Sequence, residues 1–81
     1  MASKKEILEA LENSFSSIPD LLELAGREND AKLIRKTKEK YIITQSLTDE
    51  LIFRGAVAKG ESALCIFLGI EMSEFKALRN Q

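Results

Sequence analysis

Eighty-one residues, 44% of them apolar and 31% charged, fit one globular domain over residues 1–81 and exclude a disordered chain. A net charge of −1 excludes a whole-protein field that would gather nucleic acid, and one cysteine, Cys65, excludes an internal disulfide framework. No run approaches the ~20 apolar residues of a membrane span, and no long apolar stretch follows Lys4 and Lys5 as a signal peptide requires, so a cytoplasmic location without membrane contact is expected.

The aromatic side chains are few, so Leu, Ile, Ala and Val must supply most of the core, as in a helical bundle. A single core in so short a chain typically leaves only about 3–5 kcal/mol of net stability, which favours an oligomer or a tight partner. The charge is uneven. Residues 1–30 carry seven acidic side chains against three basic ones, whereas residues 32–40 carry five basic against one acidic.

Ser3 followed by Glu6 fits a capping box, and Ile7, Leu8, Leu11, Phe15 and Ile18 recur at helical spacing. A first helix is predicted over 4–16. Pro19 suits a helix's first position and Gly26 its stop, so 19–25 reads as a short second helix or as a kinked continuation of the first. Asn29 or Asp30 is placed to cap a third helix, in which Leu33, Ile34, Tyr41 and Ile42 are apolar and the opposite face is rich in lysine. Residues 41–44 are β-rich by propensity, yet no partner strand is evident and helix is preferred.

Ser46 with Asp49 offers a restart, although one helix through both pieces stays open. Leu47, Leu51, Ile52, Ala56 and Val57 are expected on its buried side, with Gly55 tolerated at about 1 kcal/mol against alanine or serving close packing. Gly60 is the expected end of that segment. Two short amphipathic segments then lie on either side of Leu68-Gly69-Ile70.

In that last stretch, Leu64, Cys65, Leu68, Gly69, Ile70, Phe75 and Leu78 carry a pattern of aliphatic, small, glycine and apolar types. A small residue lets two helices approach, glycine accepts a left-handed turn, and the last two apolar residues seat a second helix. The pattern resembles the helix-turn-helix family, in particular the turn and opening of the recognition helix in phage and bacterial regulators. The resemblance covers about a quarter of the chain. It implies an all-α compact bundle of four to five helices with a C-terminal helix-turn-helix-like pair.

Carried over by position, the resemblance sets Glu71, Met72, Ser73, Lys76, Ala77 and Asn80 toward a major groove. Ser73 and Asn80 are then candidates for base edges, and Lys76 and Arg79 for phosphate or guanine. Lys32, Arg35 and Lys36 are the candidates for auxiliary phosphate contacts, because phosphate neutralisation supplies most nonspecific affinity.

Catalytic chemistry finds little footing. The chain has no histidine to activate a serine or complete a metal site, and neither the GxGxxG nor the GxxxxGK[ST] phosphate-loop spacing occurs. No enzyme activity, cofactor or metal is expected, and Cys65 is expected as a small buried core residue.

Two functions fit. One is a small DNA-binding protein acting on double-stranded DNA as a homodimer or higher oligomer, in a regulatory or phage or mobile-element accessory role. The other is a non-enzymatic protein-interaction module, such as an adaptor or inhibitor of a larger complex. Apolar excess on Ile42, Ile43, Leu51, Ile52 and Phe53 wraps more than one helix face and favours self-association in either case.

Overall fold

The computed structural model describes residues 2–12 and 17–80, and these form five α-helices with no strand among them. The helices are α1 (Lys4–Glu12), α2 (Ile18–Leu24), α3 (Glu28–Thr44), α4 (Leu47–Leu68) and α5 (Met72–Arg79). The fold is an all-α bundle, as the apolar spacing predicts.

Most boundaries follow from local chemistry. Ser3 Oγ accepts the Glu6 amide at 3.2 Å, while the Glu6 carboxylate accepts the Ser3 hydroxyl, so the capping pair forms through the side chains. The far end of the predicted first helix, including Phe15, lies outside the described residues. Ser17 caps α2 and Pro19 sits in its first turn, with Ser17 itself extended, so α2 has its own start. Ser46 Oγ accepts the Asp49 amide at 3.1 Å and opens α4. Gln45 before it is left-handed at φ 52°, which settles residues 28–68 as two helices. The third helix departs from expectation at its start. Its N-cap is Arg27, and Asn29 and Asp30 lie inside the first turn, where Asp30 accepts a bond from Arg27 Nε at 2.8 Å.

Helices α3 and α4 form an antiparallel hairpin, as the approach of Lys40 to Asp49 at one end and of Ile34 to Gly60 farther along requires. Helix α2 packs across both, and α1 closes the same end together with α5. The core gathers there, around Ile7, Leu11, Leu21, Leu22, Leu64 and Phe75, all fully buried. Beyond Ile34 on α3 and before Ala56 on α4 no residue is buried, so the hairpin projects past the core as a two-helix arm. Stacking of Tyr41 on Phe53, with ring centroids 6.3 Å apart, stiffens that arm.

Two expectations for α4 are corrected. Gly60 does not end the helix, because α4 runs through it to Leu68. It is instead buried where α2 and α3 cross α4. Leu47, Leu51 and Ile52 do not face the core, although Ala56 does, and Val57 is half-buried. The physical reason is that α4 carries apolar residues on every side, so hydrophobic spacing alone gives no unique inward face. No helix among the described residues is long and apolar enough to cross a membrane.

Candidate nucleic-acid interface

The C-terminal pair is built by Gly69. Its φ of 70° is left-handed, and its amide reaches the Ile66 carbonyl at 3.3 Å while the Ile70 amide reaches the Cys65 carbonyl at 3.1 Å. These are the two bonds of a Schellman stop, which satisfies the last carbonyls of α4 and reverses the chain. Ile70 then packs back against the core, and Glu71 starts the next helix in an extended conformation. Three residues, Gly69, Ile70 and Glu71, thus separate α4 from α5, the turn length of a helix-turn-helix.

Phe75 is fully buried and Leu78 half-buried, so α5 docks on α1 and the end of α4 by that face. Cys65 lies beneath the turn, with its thiol 4.0 Å from the Met72 sulfur. Burial, and secondarily the nearby Glu61 carboxylate, push the Cys65 thiol up, so it stays protonated and packs as an apolar group, as expected of it.

The opposite face of α5 meets solvent. Ser73, Lys76, Ala77 and Asn80 are exposed on it, as is Glu74. Glu71 and Glu74 make the opening of this face acidic, while Lys76 and Arg79 make its last turn basic. Both placements agree with the helix dipole. Arg79 is half-buried and already engaged within the chain. Of the set predicted toward a groove, Glu71, Ser73, Lys76, Ala77 and Asn80 are exposed, whereas Met72 is half-buried against the core beside Cys65 and does not face outward as expected.

The candidates on α3 behave differently from one another. Lys32 and Lys36 are exposed, with no carboxylate at salt-bridge distance among the described residues. Arg35 is bonded within the chain instead. Its Nη2 donates to Asp20 Oδ1 at 2.8 Å and its Nη1 to Glu23, tying α3 to α2. The Glu23 hydrogen bond, with the charges of Glu23 and Asp20, raises the Arg35 guanidinium above its ordinary value despite some desolvation. Sequence spacing cannot reveal this role, because the two acids lie twelve and fifteen residues away.

Helices α3 and α5 do not pack against each other, so the two candidate groups do not adjoin. Comparison with known protein families, curated proteins and solved structures found no match for this chain. What the arrangement can do must follow from its own chemistry. Two hydrogen-bonding side chains and one cation on a helix projecting from a tight turn suit groove recognition. The apolar excess that wraps more than one helix face in the sequence includes an exposed face of α4, on which Leu47 and Leu51 stand instead of in the core.

Proposed function

We propose that this chain is a non-enzymatic helix-turn-helix protein that binds double-stranded DNA through α5, acts as an oligomer, and works in the cytoplasm in a regulatory or accessory role. The observation that carries the reading is the three-residue Schellman turn at Gly69 followed by a helix with Phe75 inward and Ser73, Lys76 and Asn80 outward. In this reading Ser73 and Asn80 meet base edges, and Lys76 meets a phosphate or a guanine. Arg79 supplies positive charge at the end of the same helix. Lys32 and Lys36 add charge toward flanking backbone, while Arg35 serves the α2–α3 contact.

Acid at Glu71 and Glu74 and a net charge near zero keep one copy weak, which is why the proposal includes an oligomer. A polarisation titration of a random duplex pool at low salt tests it. Binding that weakens at least tenfold in Lys76→Glu, with helicity unchanged, supports the reading, and absence of binding to every duplex rejects it.

A second reading, a protein-interaction module, is favoured by a separate observation. The projecting α3–α4 arm exposes Ile42, Ile43 and Ile52 as well as Leu47 and Leu51, a larger apolar surface than scattered single residues. Stoichiometric capture of a protein partner, lost on Ile43→Asp and indifferent to Lys76→Glu, would favour it over DNA binding.

A further inference from the structure

Helix α4 has two apolar faces, and the fold uses one. Ala56, Gly60 and Leu64 turn inward at four-residue spacing. On the other side Leu47, Leu51, Gly55, Ala58, Ser62 and Ile66 all stand exposed, with Leu47 at 70%, Leu51 at 60% and Ile66 at 82%. No charged residue interrupts this stripe, which runs ~30 Å along the helix at 1.5 Å per residue. The long side chains lie at its ends and the small ones at its middle.

The spacing of the stripe is the same from either end. Its positions are symmetric about the point between Ala56 and Val57, so a copy running the other way sets Leu47 against Ile66, Leu51 against Ser62, and Gly55 against Ala58. The four central positions follow the alternating four-three-four spacing of a coiled-coil seam. Small residues at the crossing let two helix axes approach closely, while the leucines and isoleucines cover the flanks.

Charge fits a second copy as the occupant. Along one border of the stripe lie Glu50, Arg54 and Glu61, each one helical step to the same side of it. An antiparallel pair sets like borders together, so Arg54 of each copy lies between Glu50 of its own helix and Glu61 of the other and bridges the two carboxylates, and the symmetry makes this contact twice. Arg54 is well exposed and, among the described residues, pairs with Glu50 of its own helix at 2.9 Å. The opposite border brings Ile52 against the stem of Lys59.

We infer that the outer face of α4 is a two-fold interface with a second copy of this chain, packed antiparallel about the point between Ala56 and Val57. The inference stands on α4 alone and does not depend on the DNA reading. It does add to that reading. In such a dimer the two ends of α4 at Leu68, from which the α5 helices spring, lie ~35 Å apart, matching successive major grooves one turn apart.

Sedimentation equilibrium on the full chain over a wide concentration range, without DNA, tests the interface. The expected mass is twice the 9.1 kDa of one chain. Leu51→Asp and Ala58→Glu, both on residues exposed in the single chain, should raise the dimer dissociation constant at least tenfold while far-UV ellipticity holds. Arg54→Glu and Glu61→Arg should each weaken the dimer, and the double exchange should bring it back. A monomer at every concentration, a dimer indifferent to Leu51→Asp and Ala58→Glu, or a double exchange no tighter than the single ones would each overturn the inference. A monomer at every concentration would also remove the oligomer from the DNA reading, but duplex binding and its loss in Lys76→Glu are read out separately, so the interface and recognition by α5 fail distinguishably.

Discussion

Gly60 of α4 lies so near Ile34 of α3 that a Cβ at Gly60 would stand 2.8 Å from Ile34 Cδ1, and 2.9 Å from Leu22 Cδ1 of α2. Three helices meet at this one hydrogen atom. The same helix carries a second glycine, Gly55, whose Cβ position has nothing within 4 Å.

The pair makes a controlled comparison. Alanine at either site gains about 1 kcal/mol of helix propensity, but only at Gly60 must two buried methyl groups also move. Gly55→Ala should raise the stability of the monomer by about 0.5–1 kcal/mol, and Gly60→Ala should fall about 1–2 kcal/mol below it. Urea denaturation of both variants, at concentrations where the chain is monomeric, measures the difference directly. Equal stabilities would mean that the α2–α3–α4 crossing has room to spare.

Gln45 holds a left-handed conformation at φ 52° between α3 and α4, supported by a bond from its Nε2 to the Ile42 carbonyl at 3.0 Å. Residues with a Cβ are disfavoured in that region, and glycine is not. Gln45→Gly should therefore stabilise the hairpin by about 0.5–1 kcal/mol, even with that exposed bond removed. A thermal melt showing a lower midpoint would contradict this.

Asp49 joins the two helices across the same turn. The Thr44 hydroxyl donates to its carboxylate at 2.5 Å and the Ser46 hydroxyl at 2.9 Å, with Lys40 at 3.7 Å. The Thr44 bond first, then the Ser46 bond and the Lys40 charge, hold the Asp49 carboxyl below the usual carboxylate range. A carboxyl lowered on folding stabilises above its unfolded value, near pH 4, and that contribution is lost as pH falls through the folded value. The gap in urea midpoint between the native chain and Asp49→Asn should be open at pH 6 and close below about pH 4. A gap independent of pH would contradict the assignment.

The sequence made some of this legible and hid the rest, for physical reasons. Ser3, Ser46 and Gly69 act through hydrogen bonds within a few residues, so their types alone mark where helices start or stop. Gly60 reads as a stop by the same logic and is a packing contact, because its partners Ile34 and Leu22 are distant in sequence. Leu47 and Leu51 could not be placed from spacing alone, because apolar residues wrap more than one face of α4 and only the packing of α2 and α3 selects the inward one. Arg35 looked like Lys32 and Lys36 because nothing local marks its reach to Asp20 and Glu23. On α5, burial of Phe75 and exposure of Ser73 and Lys76 follow directly from helical spacing, whereas Met72, expected outward, packs toward Cys65 because the turn at Gly69 folds the start of α5 onto the core.

Light scattering of the native chain, alone and with a short duplex, tests the central claim most directly. The account predicts a two-copy particle that gains the mass of one duplex, with an apparent affinity that falls steeply as salt rises. A particle whose mass is unchanged by any duplex at low salt would contradict DNA recognition by α5.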